Sequence, residues 1–292
     1  MVTIPRWVVT NLQTGELMKT LSNYRLILLC CFVAATFLSC KKSNNNVPQG
    51  PYTLSYGDSI LYLAPGGNNI IFPTEQRSGV YTGFPDGIEI DDNTGAIDLS
   101  KSETGLRYRI THTATDGSIT ETKVVLSGIT FTDHYYLLSS GDSVANPVYN
   151  ADLNRTLPLS GSSFDDGNTA NGGGCKVYTN NGQINLAETV RNGVFGNVPQ
   201  NDVRKDFDID YRLNDESGKS LNKIRVRLYY YETMADVPAD LLQTLQDRQE
   251  LGVFLRGGNQ SIIETQAPLL GIASRLNKEA RPRPPCVIIV DH

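Results

Sequence analysis

The chain is poor in the residues that carry most enzyme chemistry. Among 292 residues it has 3 histidines, 1 tryptophan and 3 methionines. His112, His134 and His292 have no metal-binding partner at i+4, so the zinc-protease helix pattern H-E-x-x-H is excluded. No Gly-x-Ser-x-Gly elbow is present, which excludes the usual serine-hydrolase turn. Gly218-Lys219-Ser220 has the ending of a phosphate loop, but Leu213 stands where its first glycine belongs, so it reads as a hairpin turn. The net charge is −5 and no lysine or arginine cluster occurs. A nucleic-acid partner is therefore not expected, because a phosphate backbone calls for a basic footprint. No apolar run reaches the roughly 20 residues that a membrane-spanning helix needs.

The longest apolar run is Leu26–Leu38, preceded by Lys19 and Arg25 and ended by small Ser39 and then Cys40. A positive flank, an apolar run and a small-residue end form the pattern of a secretory leader. Met18-Lys19 opens a leader of ordinary length, so Met18 is the expected start and residues 1–39 the expected signal peptide. The ending Phe37-Leu38-Ser39-Cys40 resembles the lipobox of bacterial lipoproteins. That resemblance implies that Cys40 becomes the mature N-terminus and carries acyl chains. The protein is then exported and held in the cell envelope by lipid, at the outer membrane. One chain anchors only marginally, at about 0.8 kcal/mol per buried CH₂, whereas several make a stable anchor. Residues 40–50 are polar and read as a flexible tether. The basic pair Lys41-Lys42 differs from the acidic export signals of surface lipoproteins, so the periplasmic and surface faces both stay open.

Of 5 cysteines, Cys30 and Cys31 leave with the leader and Cys40 takes lipid. Cys175 and Cys286 remain. In an exported protein they either pair or stay as separate thiols. A bridge would close a loop of about 110 residues, for which the chain-entropy estimate is roughly 4–5 kcal/mol.

Hydrophobic residues make up 39% of the chain and charged residues 20%, with 26 glycines, a mix that suits a β-rich extracellular protein. Residues 51–128 read as short strands separated by turns. Ser59–Leu63 and Asn69–Phe72 flank an Ala-Pro-Gly-Gly turn, and Ile88–Ile90 precedes the Asp91–Gly95 turn. Leu106, Tyr108 and Ile110 share one face of a strand that Asp116-Gly117 returns to Thr122–Leu126. The expected unit is an antiparallel β-sandwich. Pro85-Asp-Gly-Ile-Glu-Ile-Asp-Asp-Asn-Thr-Gly-Ala-Ile97, followed by Glu103-Thr-Gly-Leu-Arg-Tyr-Arg-Ile-Thr-His-Thr-Ala-Thr-Asp-Gly117, resembles immunoglobulin-like domains of the cadherin and dystroglycan type. Asp98-Leu-Ser-Lys-Ser replaces the usual Gly-Thr-Pro of that pattern. The resemblance covers about a quarter of the chain and implies an immunoglobulin-like fold. Some such domains bind Ca²⁺, and Asp86, Asp91, Asp92 and Asp116 are the oxygen donors available here. Calcium wants six to eight oxygens at one point, about 2.3–2.6 Å away, and each of these residues also suits a turn.

Residues 129–292 carry no recognisable pattern and read as a second β-rich domain with one or two short helices. Ile129–Leu138 is an expected strand, Ser160–Gly174 a long loop and Cys175–Tyr178 a strand. Phe207–Leu213 and Ile224–Tyr230 alternate strictly and form an expected hairpin across Asn214–Gly218. Asp236 is an expected N-cap for a helix over 239–251, a second helix is expected over 268–277, and Cys286–Val290 ends the chain as a strand. Arg225, Arg227, Tyr229 and Tyr231 form an outward stripe, suited to a sugar ring or a protein partner unless other elements cover it. Asp208 and Asp210 share that face, a carboxylate spacing that a glycosidase could use across a cleft. The functions open at this point are a lipid-anchored binding or adhesion module for glycan or protein, a polysaccharide-degrading enzyme seated in the second domain, and a structural subunit of an envelope assembly.

Overall fold

Strand placement follows the alternation of the sequence in the hairpins 107–126 and 203–231 and longer-range pairing elsewhere. A computed structural model describes residues 52–251 and 280–292. The leader, Cys40, the tether and the helix expected over 268–277 lie outside the described residues. The molecule is mainly β, with few short helices.

The first half contains β1 (Ile60–Leu61), β2 (Ile70–Ile71), β3 (Gly79–Phe84), β4 (Ile97–Asp98), β5 (Arg107–Ala114) and β6 (Ile119–Leu126). One sheet has the order β1-β6-β5-β3, and β2 pairs with β4 in a second. β5 alternates as expected, with Tyr108, Ile110 and His112 buried and Arg107, Arg109 and Thr111 half-exposed. Tyr81 from β3, Ile97 from β4, Val124 and Leu126 from β6 and Leu54 close the core between the two sheets. Fully burying a side chain of this kind contributes about 1.5–3 kcal/mol. The turn between β5 and β6 is fixed by Asp116, whose carboxylate accepts from the amide and hydroxyl of Ser118. Two expectations shift. Ile88–Ile90 is not a strand, since only Ile90 forms a bridge, to Ile97. A strand does form at Gly79-Val-Tyr-Thr-Gly-Phe84, where Tyr81 alone is buried. Its two glycines weaken the local β signal, and pairing with β5 supplies what propensity does not.

The second half continues with β7 (Ile129–Phe131), β8 (His134–Leu137), β9 (Val144–Ala145), β10 (Pro147–Tyr149) and β11 (Ser163–Phe164). Helix α1 (Thr169–Gly172), β12 (Lys176–Val177), β13 (Ile184–Asn185) and α2 (Leu186–Arg191) follow. The chain then forms β14 (Val203–Arg212), β15 (Leu221–Tyr231), α3 (Ala239–Leu251) and β16 (Cys286–Val290). The main sheet has the order β11-β14-β15-β16-β8. β14 and β15 form the expected antiparallel hairpin; β14 starts earlier, at Val203, and stops at Arg212, and β15 exceeds its expected run at both ends. β16 inserts between β15 and β8 and runs parallel to both. All five of its residues are buried, which is why its sequence is continuously apolar and not alternating.

One face of this sheet presents Ile209, Tyr211, Ile224, Val226, Leu228, Val287 and Ile289 to the largest core. That core is closed by Phe164, Phe195, Cys175, Leu186 and the small sheet β12-β13-β9. On the opposite face, Leu245 of α3 and Val237 pack on Tyr231, Ile288 and Val290. Asp236 does not cap α3. It closes a capping box with Thr233 around the short 3₁₀ turn Met234–Asp236, and α3 begins behind Pro238.

Tyr52–His292 is one compact unit. The boundary expected at residue 128 falls inside it, between cores that share no residue.

Candidate binding surface

The β14–β15 hairpin positions a row of charged side chains by register alone. Asp206 faces Arg227, Asp208 faces Arg225 and Asp210 faces Lys223. Because the inward residues of both strands are apolar, these pairs must lie on the opposite face. Arg225 grips Asp208 through two bonds of 2.7 and 3.0 Å, and Arg227 grips Asp206 through two of 2.8 Å. Lys223 lies 3.5 Å from Asp210 and 3.9 Å from Asp208. The Arg227 and Arg225 guanidiniums hold the Asp206 and Asp208 carboxyls below the usual carboxylate range. The same pairing raises both arginines. Neither aspartate is therefore a proton donor near neutrality. Asp208 and Asp210, the carboxylates that could have served a glycosidase, are instead in two neighbouring rungs of an ion-pair ladder, neutral in balance and open to solvent.

The aromatic part of the expected stripe divides. Tyr229 is half-buried, whereas Tyr231 is 1% exposed beneath Val237 and Leu245 and donates its hydroxyl to Asp202 at 2.9 Å. Tyr231 is thus a core residue and not a ligand-facing one. Helix α3 covers this end of the sheet and leaves the Asp–Arg end uncovered by described elements.

The two remaining cysteines are both buried and unpaired. Cys175 lies in the largest core and Cys286 in the core under α3, on opposite faces of the sheet, so the bridge is not formed. Burial pushes each thiol up to about 12, which keeps it protonated and unreactive.

The acidic residues weighed for calcium are not brought together. Asp91 accepts from Asn93 N, Thr94 N and Thr94 Oγ1 and so holds its own turn. Asp116 holds the β5–β6 turn, Asp92 accepts from Asn93, and the Asp86 carbonyl accepts from Arg281. Among the described residues no group of three or more acidic, histidine or cysteine side chains could hold a metal ion. In the long loop, Asp165 accepts from Ala170 N, Asn171 N and Asn171 Nδ2, while Asp166 pairs with Arg212 at 2.8 Å. Its acidic residues are loop-closing groups.

A polar seam joins the two halves, and no local pattern in the sequence marks it. On one side, the Tyr211 hydroxyl meets Thr104 Oγ1 at 2.9 Å and accepts from Ile129 N at 3.1 Å. Ser127 and Tyr149 both donate to Asp215. The backbones approach so closely here that a Cβ on Gly105 would lie 2.3 Å from the Ile129 carbonyl oxygen, and Gly105 also has φ +79°. On the other side, residues 280–285 run along the first half before entering β16. Ala280 N donates to Glu89 at 2.6 Å, Arg281 N to the Asp86 carbonyl at 2.7 Å and Arg283 N to Glu103 at 2.9 Å. Asp133 accepts from Arg248 and from Cys286 N, both at 2.7 Å. In the sequence, Pro282-Arg-Pro-Pro285 is legible only as a break.

No family model matches the chain, and no curated protein matches it. Among solved structures it is similar to the Drosophila N-cadherin EC1-4 crystal structure at 12% identity and a TM-score of 0.19, over 61% of this chain and 48% of that one. The similarity thus spans about half the length of that chain.

Proposed function

We propose that the protein is a lipid-anchored binding module of the bacterial cell envelope, and that the outer face of the β14–β15 hairpin is its ligand surface. The observation that carries this reading is the ladder of Asp206–Arg227, Asp208–Arg225 and Asp210–Lys223. Each rung has donors and acceptors fixed side by side, and the rungs balance in charge. Such a surface offers hydrogen bonds without a strong field, which matches a neutral polyhydroxylated glycan better than a polyanion. Half-buried Tyr229 beside Arg227 adds an aromatic edge for a sugar ring. The same pairing argues against hydrolysis there, because Asp208 is held ionised by Arg225 and Asp210 is engaged by Lys223. The lipobox-like ending at Cys40 supports placement in the envelope.

The test is affinity electrophoresis of the full chain in gels containing neutral or anionic bacterial polysaccharides. Retardation by a neutral polymer is expected, and R225A/R227A should abolish it while the far-UV spectrum stays unchanged. No retardation, or retardation untouched by the double substitution, would sink the reading. Separately, C40S should leave the protein unacylated and in the soluble fraction. A C40S protein that stays with membranes would place the anchor elsewhere.

A further inference from the structure

We infer that residues 280–283 form a clasp whose hold on the immunoglobulin-like half is set by the protonation of Glu103. The geometry has two parts. First, the clasp reaches the first half through three main-chain amides, and two of their acceptors are the carboxylates of Glu89 and Glu103. Second, the half-buried Glu103 carboxyl lies between the two halves. The Cβ position of Gly87 would lie 2.8 Å from its Oε2, and Arg283 N donates to that same oxygen. Tyr108 of β5 donates to the Glu103 carbonyl from beneath.

The charged and titratable groups around this carboxyl come from every neighbouring element. Arg283 lies on the clasp, Arg248 on α3, and Asp133 between β7 and β8. Asp86 and Glu89 lie on the loop that also carries Gly87, and Tyr108 lies on β5. Burial is the largest influence and raises the Glu103 affinity for protons, as Asp133 does; the hydrogen bond from Arg283 N and both cations oppose it without cancelling it. It pushes the carboxyl up to about 7. Closing the clasp shields more of this group from water, so the closed form favours the neutral acid. With the folded value above the ordinary one, stabilisation is complete below the unfolded pKa. It declines as pH rises towards 7, and above that the clasp stays at its weakest. Because the clasp leads directly into β16, its hold also governs how firmly the first half is tied to the main sheet.

The test is amide hydrogen exchange of the 280–285 peptide in the full chain, in detergent, from pH 5.5 to 8.5, corrected for intrinsic exchange. In the wild type, protection should fall on the order of tenfold across this range, as expected for about one pKa unit of difference between closed and open forms. E103Q, which is neutral throughout, should be equally protected at both ends. Wild-type protection that does not change with pH, or an E103Q protein that keeps the wild-type slope, overturns the inference. Should E103Q fold poorly, the wild-type carboxyl can be titrated directly by infrared spectroscopy after ¹³C-glutamate labelling. One carboxyl titrating near 7 upholds the clasp, and all of them titrating in the ordinary carboxylate range overturns it.

Discussion

The two halves of the molecule reach a closed β-core by different routes. In residues 52–126 the principal sheet grows mostly from neighbours in sequence. β5 and β6 form a hairpin, β3 adds to β5, and the parallel contact of β1 with β6 involves two residues on each strand. In the second half the principal sheet is incomplete until residues near 290 arrive. β16 supplies the partner of both β15 and β8, and without it each would present an open edge to solvent. Local hairpins form with little loop-closure entropy, whereas a parallel insertion must close a long loop before any contact rewards it. The difference in topology leads to the expectation that the first half acquires its core early and alone, while the second depends on its last strand.

The strongest way to break this comparison is to damage β16. Ile288 is fully buried at the centre of that strand. I288D places an unpaired carboxylate there, a change expected to exceed about 4–5 kcal/mol. The second half should unfold and the first should survive, so limited proteolysis should return a resistant piece near residues 50–128. An isolated 50–128 fragment should likewise unfold cooperatively as a β-protein. If the fragment is disordered while the full chain is folded, the two halves share one folding unit. The mirror-image damage is Y108A. This ring is 0% exposed and its hydroxyl donates to the Glu103 carbonyl. A loss of about 3–5 kcal/mol is expected from the cavity left behind. By denaturant titration it should unfold the first half at lower denaturant than the second, and a single shifted transition would count against separate cores.

How much of this could be read in the sequence follows the same division. Leu106, Tyr108 and Ile110, and then Ile224, Val226, Leu228 and Tyr230, were legible as inward faces because their spacing has a period of two. Cys286–Val290 was legible as a strand, but not as a central one, because its partners lie far away in sequence. Tyr231 shows the limit on the site. Spacing puts it on the outward face correctly, and only the tertiary position of α3 reveals that this part of the face is covered. Arg225 and Arg227 were assigned to the right face, whereas their aspartate partners depend on register that spacing does not supply. Glu103, Asp133 and Arg248 are brought together by contacts more than a hundred residues apart, which no local pattern encodes.

The seam between the halves sharpens the comparison with a smaller effect. Y211F keeps the ring and removes the hydroxyl that accepts from Ile129 N and meets Thr104. A buried amide then lacks an acceptor, for an expected loss of about 1–3 kcal/mol. If the halves are separate cores held by this seam, Y211F should widen the gap between their unfolding midpoints in urea. An unchanged gap would show that the seam carries no coupling.

The smallest expected effect lies on the ladder, where R225A tests whether the exposed row is there for stability or for contact. The Arg225 side chain is 56% exposed and its partner Asp208 is 24% exposed. Surface pairs of this kind contribute about 0.2–1 kcal/mol even when the geometry is good, because solvent screens them. The sign with pH is fixed by the lowered Asp208 value. The pair stabilises fully above the unfolded carboxylate pKa of about 3.9. That contribution disappears as pH falls through the lower folded value. R225A should therefore lower stability slightly at pH 7 and not at all in strong acid. A D208A/R225A double-mutant cycle in urea measures the pair directly. A coupling well above about 1 kcal/mol would make the ladder a structural brace. A coupling below that, together with loss of polysaccharide retention, places its importance in what it touches outside the protein.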